Sequence, residues 1–169
     1  MREPIPGGPG WQINGDTLLA EITELETFVA AHAADRCVHV LAALFQGDPP
    51  AARGALEPLL AESPDDVRLL ALEADIWRDE GRFENAADRY RRLIWGCDRA
   101  SLQATLTQHL GKVHFAAGQF AEAVECFRRA LTLREELGAP DDLVGSSRRA
   151  LDRALQCRGS ARSARAHGP

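Results

Sequence analysis

Apolar residues along this chain recur three and four positions apart rather than alternating, and they do so in segments of about a dozen residues broken by Gly, Pro and Asp. That pattern predicts helices near residues 16–31, 33–46, 50–62, 66–80, 84–96, 100–117, 120–137 and 141–157. Three glycines, Gly47, Gly81 and Gly118, each close such a segment, at spacings of 34 and 37 residues. The positions around them repeat. Before each glycine stand Val40 and Ala43, then Ala74 and Trp77, then Leu110 and Gly111; two residues past it come Pro49, Phe83 and Phe120. Five past it come Ala52, Ala86 and Ala123, and nine past it Leu56, Tyr90 and Phe127.

This register describes a helical hairpin in which glycine supplies the tight turn and alanine allows the two helices to approach closely. One hairpin cannot bury its own apolar face, so such hairpins stack, with caps at both ends. Asp16 is placed to cap a first helix through residue 31, whose Leu18, Ile22, Leu25 and Val29 form a stripe at helical spacing. After Pro140, Asp141 or Asp142 restarts the chain into a final amphipathic helix carrying Leu143, Ser147, Leu151, Ala154 and Leu155. The expected class is all-α, an α-solenoid of about three hairpins with an N-terminal helix and a C-terminal capping helix. Its expected organisation is a disordered stretch over residues 1–15 and a single helical domain over 16–157. Within that domain fall repeats at about 33–66, 67–103 and 104–140 and a capping helix at 141–157, followed by a disordered basic tail over 158–169.

The segments LLALEADIWRDEGRFENAADRYRRLI (69–94) and LGKVHFAAGQFAEAVECFRRAL (110–131) resemble the tetratricopeptide repeat family. Residues 33–66 fit more loosely through Gly47, Ala52, Leu56 and Pro64, and the resemblance covers roughly residues 33–140. Glu73 stands where that family usually has Leu and His114 where it prefers an aromatic residue. The connection WGCDRAS makes the step between the second and third repeats three residues longer. The resemblance implies hairpins curved so that the first helix of each repeat lines a concave groove, which generally takes an extended peptide or a partner helix. On that register the groove positions of the second repeat are Arg68, Ala71, Asp75, Arg78 and Asp79, and those of the third are Thr105, Gln108, Lys112, Phe115 and Ala116. Basic and amide donors beside Phe115 suit a peptide backbone or carboxylate. Asp75 and Asp79 can equally pair with the bases, leaving a solvated face. The matching positions of the first repeat, Ala34, Cys37, Leu41, Leu44 and Phe45, are greasy where a groove should be polar. They call for a cover: the N-terminal helix, a partner protein or a second copy of the chain.

Charge and composition alter this picture little. Residues 1–66 hold 11 acids and 3 bases, residues 67–169 hold 14 acids and 17 bases, and the last 27 residues carry six Arg against one Asp. Arg148, Arg149, Arg153, Arg158, Arg162 and Arg165 could attract phosphates, but no interleaved aromatics accompany them to stack on bases. The 28 Ala and 19 Arg against a single Lys, Lys112, read as the coding bias of a GC-rich bacterial genome. The longest apolar run, residues 40–45, is far short of the roughly 20 residues of a membrane-spanning helix. Residues 1–11 have no apolar core of a signal peptide. Four single cysteines, Cys37, Cys97, Cys126 and Cys157, read as free thiols of a reducing cytosol.

Chemistry is thinly represented. His109 and His114 are five apart and point in different directions on a helix, and Cys37 and His39 fall on opposite sides of theirs. The run GGPG at residues 7–10 precedes no predicted strand and is no phosphate loop. Asp65 with Asp66, and Asp141 with Asp142, sit where helices begin. The sequence therefore predicts a cytoplasmic, non-enzymatic adaptor or scaffold without cofactor or metal, which binds a protein or peptide partner through Arg68, Asp75, Arg78, Gln108, Lys112 and Phe115. The patch of Cys37, Leu41, Leu44 and Phe45 is a second partner surface, and self-association is open to the chain. The readings standing beside it are a secretion-type chaperone of similar size and a nucleic-acid-associated regulator using the arginine-rich C-terminus.

Overall fold

The computed structural model describes residues 2–166, with side chains to residue 163. Met1 and residues 167–169, parts of the ends expected to be disordered, lie outside the described residues, as does the side chain of Arg165. The chain divides into two compact units, residues 1–89 and 90–169. Helices dominate both, and the helical repeat fold expected from the periodicity is the fold found.

The first unit opens with a three-stranded antiparallel sheet in the order β1 (Ile5–Gly8), β2 (Trp11–Ile13), β3 (Ala20–Ile22). There follow α1 (Leu25–Ala31), α2 (Val38–Phe45), α3 (Pro49–Glu62), α4 (Val67–Asp79) and the start of α5 (Phe83–Trp95). The sheet replaces the expected irregular start and the first half of the expected helix over 16–31, and the reason is turn chemistry. Asn14 Oδ1 accepts from the backbone N–H of Asp16 at 2.8 Å and of Thr17 at 3.0 Å, an Asx turn that competes with helix initiation. Leu18 then takes a left-handed conformation, φ 64°, which no helix interior tolerates.

The sheet and α1 cover α2. Trp11 lies 5.5 Å from Phe45 between ring centroids, Phe28 lies 5.5 Å from the same ring, and Ile22, Val29 and Leu41 pack around them. Gly7 and Gly8 leave room for the Trp11 indole, whose atoms come within 2.4 and 2.9 Å of where their Cβ atoms would stand. On its other side α2 sends Cys37, Val40 and Leu44 into a core shared with Ala52 and Leu56 of α3 and with Leu69, Leu72 and Ile76 of α4.

The second unit contains the end of α5 and then α6 (Ala100–Ala116), α7 (Phe120–Glu136) and α8 (Asp141–Ala166), with α7 packed on both α6 and α8. Its core is built on Tyr90, Val113, Val124 and Phe127, with Ala123, Ala130, Ala150 and Ala154 between the helices. The final helix runs nine residues past the predicted end at 157, through the stretch expected to be a loose tail. Ala and Arg there are strong helix formers, so helix persists without an apolar stripe.

The hairpin turns share one geometry. At Gly47, Gly81 and Gly118 φ is 72°, 75° and 72°, and each glycine N–H returns to the carbonyl three residues back while the next N–H returns five back. This is the Schellman termination. Gly138, with φ 60°, ends α7 in the same way.

Candidate functional site

In the first unit, Asp66 caps α4 by accepting from the N–H groups of Arg68 and Leu69, which fixes where the groove-register side chains of that helix emerge. Arg68 stands at the first turn and is exposed. Its guanidinium makes a two-pronged contact with Asp35, Nη1 to Oδ1 at 2.9 Å and Nη2 to Oδ2. Arg36 holds Asp66 at 2.7 Å alongside. The hydrogen bond and charge of Arg68 hold the Asp35 carboxyl below the usual carboxylate range, against the opposing effect of partial burial. An acid with a lowered pKa contributes stability that is present above its unfolded value and lost as pH falls through the lowered one. Arg68→Ala should therefore move the Asp35 titration upward toward the ordinary value, as read by carboxyl NMR; an unmoved titration would show the pair to be broken in solution.

Two and nearly three turns on, Asp75 and Arg78 are buried, at 7% and 8% exposure. Arg78 donates from Nη1 to Asp75 at 2.6 Å and from Nε to Asp79 at 2.7 Å, so it is gripped from two sides. Trp77 is half-buried. The guanidinium carbons of Arg82 and Arg89 lie 5.2 and 4.9 Å from its ring centroid, and Arg89 is held in turn by Glu73 at 2.9 Å. Glu73, where the resembled family usually has Leu, thus anchors a cation against the indole.

In the second unit, Gln108 is buried at 3% exposure and its Oε1 accepts from the Ser147 hydroxyl at 2.8 Å. Ser147 accepts from Arg134 Nη1 at 2.7 Å, and the same nitrogen donates to the Leu143 carbonyl at 2.8 Å. Helices α6, α7 and α8 are thereby joined by one buried chain of hydrogen bonds. Burial pushes the Arg134 pKa down, opposed by the charge of Asp142. The Gln108 Nε2 and the Thr107 hydroxyl are buried with no hydrogen-bond partner among the described residues. Phe115 packs edge-on to Phe120 at 5.4 Å and lies under Arg153 at 6.0 Å, while Lys112 is half-buried on the same helix.

The apolar residues of the first repeat are filled from within the chain. Cys37 and Leu44 belong to the α2–α3–α4 core, and Leu41 and Phe45 lie beneath Trp11 and Phe28. The cover is a sheet with a short helix rather than the long N-terminal helix expected.

His114 is buried, with Nδ1 2.6 Å from Gln119 Oε1, and His109 stacks near Tyr90 at 5.9 Å. Cys37 is buried while His39 is exposed. Burial pushes the Cys126 thiol up to about 11. Among the described residues no group of three or more His, Cys, Asp or Glu is placed to hold a metal ion, and no helix is long and apolar enough to cross a membrane.

Helical hairpins closed by the same glycine turn define a helical-repeat protein. Tetratricopeptide repeat models match residues 37–103 and 101–168, and the chain belongs to the tetratricopeptide repeat family. No curated protein and no solved structure matches it.

Proposed function

We propose that the protein is an adaptor that binds protein or peptide partners through the groove-register positions of its repeats, those of α4 in the first unit and, as a separate surface, those of α6 in the second. Membership of a family whose repeats generally mediate protein–protein interaction carries this reading. The chemistry of the side chains supports it. An exposed Arg–carboxylate pair contributes little net stability, so a ligand carboxylate can replace Asp35 on Arg68 at small cost while keeping the two-pronged geometry. On α6, Lys112 offers a half-buried cation, while Phe115 is buried against Phe120 and under Arg153 and shapes the helix beside it. Arg78 and Gln108 act differently: gripped by Asp75 and Asp79, and by Ser147, they hold their helices in place and present the neighbouring groups.

Reversing Arg78 would crowd three carboxylates into a buried site, so the informative variant is Arg68→Glu with Lys112→Glu. It should retain the far-UV circular dichroism of the parent and lose a partner that the tagged parent captures from a lysate. Equal capture by both forms would discard this surface.

A further inference from the structure

Trp95 ends α5 with 93% of its surface exposed. The turn that carries it is well tied down. The Cys97 carbonyl accepts from Gln103 Nε2, and the Cys97 thiol, itself buried, donates to the Arg99 carbonyl at 3.5 Å. The N–H groups of Gly96 and Cys97 return to the carbonyls of Arg92 and Ile94. A large apolar ring is therefore displayed in water on an ordered support, which spares an association the entropy of ordering it. Arg92 lies one helical turn before Trp95 on α5, and Arg99 stands at the start of α6, past the turn that follows it. Both are exposed, and among the described residues neither forms an ion pair. Trp and Arg together are the residues most enriched where binding energy concentrates.

The complementary chemistry is present on this same chain. At the start of α1, Leu25 is 40% exposed between Glu24 and Glu26, two exposed carboxylates that no cation among the described residues pairs with. The charges of the two units agree with this local match: residues 1–89 hold 17 acids and 7 bases, residues 90–169 hold 8 acids and 13 bases.

We propose that Trp95, with Arg92 and Arg99, docks on the Glu24–Leu25–Glu26 tip of a second copy of this chain, so that the protein associates head to tail. The indole covers the leucine and each guanidinium meets a carboxylate. Two different surfaces meet, so the pairing either closes reciprocally as a two-fold dimer or continues into rings or open chains. The contact is small and charge-rimmed, which makes it weak and sensitive to salt. It is independent of the groove reading, since none of the six residues lies in the groove register.

Sedimentation velocity on the full chain tests it. The weight-average mass should rise above 18.4 kDa with concentration through the micromolar range. It should return to the monomer value at about 1 M salt, where charges are screened beyond about 3 Å. Trp95→Ala should weaken association roughly tenfold or more. Arg92→Glu with Arg99→Glu, and separately Glu24→Arg with Glu26→Arg, should each give monomers of unchanged circular dichroism. Mixing those two monomers should restore association, because the patch of either variant is oppositely charged to the tip of the other. A parent chain that stays monomeric at all concentrations overturns the proposal and leaves the patch to a foreign acidic segment. Association indifferent to Trp95→Ala, or a mixture that stays monomeric, overturns it as well.

Discussion

Phe127→Ala should lower the stability of the protein by about 3–5 kcal/mol, the range for emptying a large buried aromatic site. Phe127 is fully buried, and its ring sits against α6 at the one position where that helix has no side chain. A Cβ on Gly111 would stand 2.6 Å from two atoms of the Phe127 ring and 3.2 Å from Cys126 Cβ. Gly111 weakens its helix by about 1 kcal/mol relative to Ala, and the close approach of α7 offsets that. Gly111→Ala alone should therefore destabilise by about 1–3 kcal/mol, because overpacking outweighs the gain in helix propensity. Combined with Phe127→Ala the sign should reverse, since the ring that the methyl group would strike is gone. Urea denaturation of the four forms measures the cycle, and simple additivity would show that the two helices do not meet as described.

Phe28→Ala should be the second costly change, at about 3–5 kcal/mol if the site does not collapse. Phe28 is 1% exposed and is the ring on which the N-terminal cover closes, touching Phe45 at 5.5 Å and His32 at 4.5 Å. Its loss frees the cover from α2, so proteolysis should cut first among residues 5–24 and the Trp11 emission should shift to the red. Gly10 is the matching backbone constraint. Its carbonyl accepts from the N–H groups of Thr23 and Glu24, and a Cβ there would lie 2.4 Å from the Glu24 carbonyl oxygen. Gly10→Ala should mimic Phe28→Ala in protease sensitivity; a cover that stays resistant in both variants would assign its stability to the sheet alone.

The helices were readable in advance because a 3.6-residue period repeated over a dozen positions is a strong signal, and because the turn glycines announce where each helix must stop. The sheet was not. Strands of three and four residues are too short for alternation to register, and Leu18, Ile22, Leu25 and Val29 fall at helical spacing although only the last two are in a helix. The turn chemistry of Asn14-Gly15 and Pro9-Gly10 was the available clue. At the groove positions the register identifies the side chains but not their neighbours. Asp35 reaches Arg68 across 33 positions, and Ser147 reaches Gln108 across 39. No local pattern encodes pairings of that range, and they decide which residues stand exposed and which hold helices together.

The four glycines that end α2, α4, α6 and α7 differ from Gly10 and Gly111 in one respect. A Cβ added at Gly47, Gly81, Gly118 or Gly138 would meet nothing within 4 Å. Size is no obstacle at these turns, and the constraint is chirality alone. A D-alanine, whose preferred dihedrals mirror those of its natural counterpart, fits each of them unstrained and removes unfolded-state freedom worth about 0.4–1 kcal/mol per site. A chain assembled by chemical ligation with mirror-image residues at these four corners would keep the same backbone and resist heat better than the natural one.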